Sequence, residues 1–575
     1  MTGHLQPRRP LVLVAAAAAA FATGCASIPT SSPVFAGGAE VISGGSVGMS
    51  AQGPTYGQGP EELMRGFLLA GQAGPTASAP FALAKEYLTP EAARSWLPAA
   101  RAVVIDNVAD LEITPNSGNP DVVTALVTGR VVGVVDDGGS FLELQVPENM
   151  SLPYTLERID GNWRISQLED GVIVPSKVFT AAYRYTRIYR PSGDKRFWVP
   201  EVRWFPQATW RTNAILALFA GPPASLLDVV LPAAPENFAL ELEDIEEAPD
   251  GTFLVRVRGR IREADAVTRA LLRAQIAATL LDDPGSTRVT LIDAQGPIPI
   301  PDVPLPSLAH TVGSALALSE GRLFHVRGRN LVPNEDTTIS IPGNPTALAV
   351  GFDYDSTVVW RIGTSAIVGH LPGTQHGPEH GALFIGENVL APSVDIYGYV
   401  WTGEELGGIV AIDSNGGNHP VSAAWLDNRR IESIRVSPDG ARIAVVTRDT
   451  DGTRLQVAGV IRNEAEVPIG LAMPLEVGAS LLEIGAVAWH DGTTLAVVGT
   501  MNGDRGVYLV GVGGLDAFGG LPRHIPGLNE PRWVTAAVGS GNMLGLDQGN
   551  KLHLREAMSL WPVVGQHVDL VAYPG

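Results

Sequence analysis

A single cysteine, Cys25, in 575 residues excludes an internal disulfide and any cysteine-rich zinc or iron–sulfur site. Positive charge is also scarce. Forty Lys and Arg stand against 60 Asp and Glu, a formal net charge of −20, and that sign repels phosphate backbones, so nucleic-acid binding is disfavoured. No apolar run reaches the ~20 residues a spanning helix needs. The H-E-x-x-H zinc motif and the Walker A phosphate loop are both missing. What is present is apolar material: 45% hydrophobic and 17% charged residues with a mean hydropathy of +0.13. Such a chain builds globular cores rather than a disordered polyelectrolyte. Its length predicts about three domains. The 65 glycines and 44 prolines predict many turns between short strands, hence much β structure.

The N-terminus reads as an export signal. Arg8 and Arg9 precede an apolar run from Leu11 to Ala22, followed by Thr23, Gly24 and Cys25. The run of about a dozen residues is too short to stay in a bilayer as a helix. Cys25 after Ala22-Thr23-Gly24 resembles the lipobox of bacterial lipoproteins, with Ala22 where that motif usually has Leu. The resemblance implies cleavage after residue 24 and acylation of Cys25, with palmitate among the chains. Two or three acyl chains anchor stably where one would not. Losing Arg8 and Arg9 takes the net charge from −20 to −22.

Residues 25–59 are rich in Ser, Pro, Gly and Ala and predict a flexible tether. Gly44-Gly45-Ser46-Val47-Gly48 matches the G-x-S-x-G pattern but has no strand before it or helix after it, so it is rejected as a nucleophile elbow. Pro60-Glu61-Glu62 opens a helix with Leu63, Phe67 and Ala70 on one face. A second helix follows Thr89-Pro90-Glu91 and is anchored by Trp96. Strands are predicted at 122–135, 140–146, 154–159 and 162–167. Helices followed by an antiparallel sheet give an α+β domain over 60–194, by analogy a cone of the nuclear-transport-factor type.

A second α+β unit spans 195–296. It has an extended start at 197–206, helices at 209–220 and 264–281, and strands at 253–257 and 288–292. Ala214-Ile215-Leu216-Ala217-Leu218-Phe219-Ala220-Gly221-Pro222-Pro223, Phe253-Leu254-Val255-Arg256-Val257 and Gln275-Ile276-Ala277-Ala278-Thr279-Leu280 make this stretch similar to a GerMN domain. Leu231-Pro232 stands where many such domains have Ile-Pro. Pro297, Pro299, Pro301, Pro304 and Pro306 mark a semi-rigid linker over 297–314. From 315 to 575 short apolar runs alternate with Asp/Asn/Gly turns. Val436-Ser437-Pro438-Asp439-Gly440-Ala441-Arg442 and Ala488-Trp489-His490-Asp491-Gly492-Thr493-Thr494 repeat, with weaker echoes at 319–323 and 547–552. At about 40–50 residues per blade, this predicts an all-β propeller of about six degenerate blades.

The order of signal 1–24, tether, α+β unit, GerMN unit and propeller resembles the LpqB family of actinobacterial lipoproteins. The residues that carry the match are Cys25-Ala26-Ser27-Ile28-Pro29, Phe67-Leu68, Tyr87-Leu88-Thr89-Pro90-Glu91-Ala92-Ala93, the GerMN stretch and Ser437-Pro438-Asp439-Gly440. The resemblance implies a non-enzymatic accessory on the extracytoplasmic face of the cell membrane. It would bind the extracellular domain of the sensor histidine kinase MtrB of the MtrA–MtrB two-component system, and so act on envelope homeostasis and cell division.

Residue chemistry offers little against this. His370, His376 and His380 with Glu379 form the one histidine cluster. Its glycines and Pro378 predict a solvated loop rather than the three or four convergent ligands of a metal site. Asp427, Asp439 and Asp491 resemble general acids, yet aspartate in a turn usually accepts from its own backbone. No catalytic, metal or cofactor residue is therefore assigned. Trp360, Trp401, Trp425, Trp489 and Trp533 read as core packing, with stacking on a cell-wall glycan such as peptidoglycan as the alternative function.

Overall fold

The computed structural model describes residues 51–575 apart from 108, 235, 312, 334–340, 342, 353–356, 372–380, 451, 515–521, 540 and 558. The export signal, Cys25, the 44–48 motif, His376, Glu379 and His380 lie outside the described residues.

Helix α1 (Pro60–Ala73) starts as its sequence dictates, with proline in the first turn beside Glu61 and Glu62, and it buries Leu63, Met64, Phe67 and Ala70. After the short helix α2 (Ala82–Lys85), α3 (Pro90–Ser95) is capped by the Thr89 hydroxyl, which accepts from the Ala92 N–H at 3.3 Å. It ends at Trp96, buried with ring centroids 5.5 Å from Phe67 and 6.3 Å from Phe81. These helices pack on a six-stranded sheet of β1 (Arg101–Ile105), β2 (Asp110–Pro115), β3 (Val122–Asp136), β4 (Phe141–Ile159), β5 (Asn162–Gln167) and β6 (Val172–Pro175). The order is β5-β4-β3-β1-β6 with β2 beside β3, antiparallel except for β1–β6.

Two expectations change here. The predicted strands 140–146 and 154–159 are one 19-residue strand, β4. A register shift opposite Val131 and Gly133 absorbs residues 144–147, so Pro147 sits where no ladder bond is required. Residues 51–59, assigned to the tether, are docked: the Tyr87 hydroxyl donates to the Gln52 carbonyl, the Gly57 N–H donates to Asn162 Oδ1 at 3.2 Å, and Ala51 packs on the core.

Helix α4 (Ser176–Ala182) leads into a two-stranded ribbon, β7 (Tyr183–Pro191) and β8 (Trp198–Pro206), paired along all nine residues of each strand. The division drawn between 194 and 195 falls in the tip of this ribbon. Beyond it lie α5 (Trp210–Phe219), β9 (Glu241–Glu247), β10 (Phe253–Arg258), α6 (Ala266–Leu281), β11 (Val289–Asp293) and β12 (Gly296–Pro297), with sheet order β12-β11-β10-β9. β10 and β11 are parallel, and α6 between them buries Leu272, Ile276 and Leu280 one turn apart. The proline-rich stretch 297–314 is pinned rather than free. Ile298 is buried in this core, and the Trp198 N–H donates to the Ser307 carbonyl at 2.9 Å while the Ser307 N–H donates to the Arg196 carbonyl at 3.0 Å.

Among the described residues from Leu316 onward, six sheets, each built on four strands, form the propeller. Their innermost strands are Val568–Ala572 (blade 1), Pro345–Val350 (blade 2), Ser393–Val394 (blade 3), Arg430–Val436 (blade 4), Val487–Asp491 (blade 5) and Pro531–Ala536 (blade 6). Blade 1 takes its inner strand from the end of the domain, where Leu316 to Ser319 pair antiparallel with Val568 to Ala572, and this closes the ring. Valine and isoleucine at alternate strand positions fill the space between blades, as Ile443, Val445 and Val460 do beside Trp401 and Ile409. Each such buried side chain contributes roughly 1.5–3 kcal/mol. The fold class is the expected one: multidomain, with a C-terminal propeller of six blades.

Candidate functional site: the docked face of the propeller

In an antiparallel blade the turns joining inner to second and third to outer strands lie at one end, and the turn joining second to third strands lies at the other. The β7–β8 ribbon lies across the first of these ends. Three inner-to-second turns meet it in sequence. In blade 3 the Tyr397 hydroxyl donates to Asp194 Oδ2 at the ribbon tip, 2.9 Å away. In blade 4 Arg442 Nη1 donates to the Pro200 carbonyl at 3.0 Å. In blade 5 the Tyr185 hydroxyl donates to Thr493 Oγ1 at 3.1 Å. Gly513 completes the seat. A Cβ there would lie 2.6 Å from Val202 and φ is +124°, so only glycine permits the approach.

The aspartates that sequence offered as acids build these turns. Asp439 Oδ1 accepts from the Ala441 N–H at 3.0 Å and from the Ser437 hydroxyl, and its other oxygen pairs with Arg442. Asp491 Oδ1 accepts from the Thr493 N–H at 2.7 Å and its hydroxyl at 3.0 Å. Asp395 plays the same part in blade 3, accepting from the Tyr397 and Tyr399 N–H groups, from Trp401 Nε1 and from Arg462. Sequence reasoning missed Asp395. Its signal was Val394-Asp395-Ile396-Tyr397-Gly398, a looser form of the same Asp-to-Gly turn. Asp427 is exposed at the end of a single 3₁₀ turn.

The ribbon is buried from its other side too. Tyr189 and Trp198 pack on Leu271, Ala274 and Ala278 of α6, while Val199 joins Leu226, Val229 and Val230 against Ala441 and Ala472 of the propeller. Beneath it Arg190, fully buried, donates to the carbonyls of Ala217, Leu218 and Gly221 at the C-terminal end of α5, where a cation suits the helix dipole. Glu201 bridges Arg190 and Arg203. Burial pulls the Arg190 guanidinium below its usual range, and Glu201 opposes that shift. The first sheet also touches the propeller. Glu143 Oε1 accepts from the Ser480 hydroxyl at 3.1 Å and its N–H at 3.3 Å, while Oε2 is buried without a partner. Burial pushes this carboxyl up, against the hydrogen bonds from residues 478–480. Where the three units meet, a cavity of about 70 Å³ is lined by Phe141, Glu201, Leu226, Arg442 and Leu475.

The propeller tryptophans are packing residues. Trp360 and Trp401 are fully buried, and Trp489 is nearly so. The Trp425 and Trp533 indole N–H groups donate to the carbonyls of Ala472 and Val571. His370 ends a strand beside Trp360. Among the described residues no group of three His, Cys, Asp or Glu is placed to hold a metal ion, and no helix is long and apolar enough to cross a membrane.

A family model described as "Lipoprotein LpqB, N-terminal domain" matches residues 53–180, and one described as "Lipoprotein LpqB beta-propeller domain" matches residues 321–563. Among curated relatives, Lipoprotein LpqB of Bifidobacterium longum is 25% identical over 431 residues, covering 73% of each chain. That of Cutibacterium acnes is 25% identical over 538 residues, 86% of this chain and 87% of the relative. Lipoprotein LpqB of Rhodococcus opacus is 32% identical over 252 residues, 43% of this chain and 37% of the relative. The two models together span more than half of the sequence, in the order in which the sheet domain and the propeller occur, and the chain belongs to the LpqB lipoprotein family.

Proposed function

We propose that the protein is a non-enzymatic accessory, held on the extracytoplasmic face of the cell membrane by lipid on Cys25, that binds the extracellular domain of an MtrB-type sensor histidine kinase. Through that contact it modulates two-component signalling, envelope homeostasis and cell division. The observation that carries this reading is the asymmetry of the propeller. One end is covered at blades 3 to 5 by the ribbon, whereas the second-to-third turns at the other end are exposed at Glu320, Leu406, Thr450, Asn502 and Gln548. Leu406 is 80% exposed. A broad rigid face with an apolar point among polar turns suits a protein partner. Confinement to the partner's membrane raises effective concentration, so a weak direct contact suffices. Net charge of −20 favours a basic partner surface.

The test is titration of soluble Ala26–Gly575 with the isolated extracellular domain of the cognate kinase. Saturable binding, weakened at least tenfold by Leu406→Asp with the fold unchanged, is expected. Absence of binding, together with binding of muropeptides, would replace this reading by a glycan-binding one. Cys25→Ser, which releases the protein from the membrane, is expected to impair signalling; normal signalling by the released form would refute the role given to the anchor.

A further inference from the structure

The central channel of the propeller holds a cation, Arg435, that no carboxylate contacts among the described residues. Arg435, in the inner strand of blade 4, lines a cavity of about 40 Å³ together with Leu348, Trp489, Trp533 and Thr535, from the inner strands of three other blades, and Tyr573, from the segment that follows the inner strand of blade 1. Its Nη1 donates to the carbonyls of Pro392 and Ile434, both at 2.9 Å, and its guanidinium lies 5.1 Å from the Trp533 ring centre. The backbone carbonyl of the same residue accepts from Trp489 Nε1 at 3.1 Å. The guanidinium is thus held at Nη1 and against the Trp533 ring, and the residue is also held at its backbone carbonyl.

The Nε and Nη2 edge is not held. Among the described residues neither atom makes a hydrogen bond and no carboxylate reaches the guanidinium; the charged group that acts on it most strongly is another cation, Arg361. Burial and Arg361 bring the Arg435 guanidinium down to about 10, as expected of a cation lacking a counter-charge. Elsewhere in the same molecule this edge is where carboxylates sit. Arg262 grips Asp293 through Nε and Nη2 at 2.8 Å each, and Arg329 and Arg448 use the same two atoms on Glu556 and Glu432. Two parallel N–H groups match the two oxygens of a carboxylate, and such bidentate pairs are among the strong hydrogen bonds. A cavity of this size holds about three water-sized groups, enough for a carboxylate head.

We propose that the Nε–Nη2 edge of Arg435 is a carboxylate-binding site in the channel of the propeller. The carboxylate belongs either to a free small organic acid or to the end of a polypeptide that inserts into the channel.

Calorimetric titration of the full chain in detergent with acetate, and with a short peptide bearing a free C-terminal carboxylate beside its amide, tests this. Saturable binding of acetate, or of the acid peptide but not its amide, is expected up to about 100 mM. Acetate alone identifies a free acid; the acid peptide identifies a chain end. Arg435→Met is expected to weaken either at least tenfold, and Arg435→Lys, which keeps the charge without the paired donors, to weaken it less. Tryptophan fluorescence should respond to the ligand in the native chain and lose that response in Trp533→Phe, whose calorimetric affinity is kept. Failure of both probes to bind, or equal binding by a folded Arg435→Met, overturns the proposal.

Discussion

Blades 4 and 5, with Asp439-Gly440 and Asp491-Gly492, differ from blades 1 and 6, with Glu320-Gly321 and Asp547-Gln548-Gly549, in what these turns do. In blades 4 and 5 the repeats at 436–446 and 488–498 span the inner strand, its turn and the second strand, and those turns carry the ribbon. The weaker echoes at 319–323 and 547–552 occupy the second-to-third turns of blades 1 and 6, at the open end. Similar tetrapeptides therefore serve opposite faces. The stronger repeat is the one with two duties: Asp439 satisfies its own turn and also orients Arg442 toward Pro200.

This contrast can be broken first at Arg442. Arg442→Met leaves the Asp439 carboxylate buried and unpaired, and is expected to cost about 3–5 kcal/mol in chemical denaturation. Arg322→Met, at the exposed open-end turn of blade 1, is expected to change stability by less than about 0.5 kcal/mol. Equal costs would remove the distinction between the faces. Tyr397→Phe and Tyr185→Phe, which each delete one ribbon hydrogen bond, are expected to cost about 1 kcal/mol apiece by the same measurement.

Two carboxylates, one at a contact between units and one in an exposed turn, also respond to pH with opposite sign. Glu143, where the first sheet touches the propeller, has a raised folded pKa, so folding takes up a proton between the unfolded value near 4.5 and the folded one, and stability falls as pH rises through that window. Glu143→Gln is expected to raise the unfolding temperature at pH 7 and to leave it nearly unchanged at pH 4. At the open end Asp547 is raised by partial burial but lowered further by hydrogen bonds from the Lys551 N–H and from His553, 3.0 Å away, for a net downward shift. Its stabilisation is complete above the unfolded carboxylate range and is lost as pH falls through the folded pKa. Asp547→Asn should therefore lower the unfolding temperature at pH 7 and leave it unchanged near pH 2, a smaller effect than the others because the site is partly exposed.

Most helices and the strongest blades were legible because local rules agree with tertiary use. Thr89-Pro90-Glu91 caps and starts a helix, and Leu63, Phe67 and Ala70 make an apolar stripe that the segment buries. The ribbon was only half legible. Residues 197–206 read as extended, but 183–191 carry no period of two because both faces are covered, one by α6 and one by the propeller. Strand β9, Glu-Leu-Glu-Asp-Ile-Glu-Glu, was invisible because an exposed edge strand keeps charge on most positions. The docking site escaped for a related reason. Arg190, Glu201 and Arg442 look like surface charges in sequence, and only the packing of three units around one ribbon makes them interior. Arg435 escaped likewise: alternation places it on an inner strand, but only ring closure places it on the axis.

Amide hydrogen exchange, with and without the kinase extracellular domain, tests the central claim most directly. The predicted result is slow exchange at residues 437–442 and 491–493 in both states, with new protection confined to the open-end turns near Gly321, Leu406, Gly503 and Gly549. Fast exchange at 437–442 in the free protein, or new protection along the ribbon, would contradict the assignment of one docked and one open face.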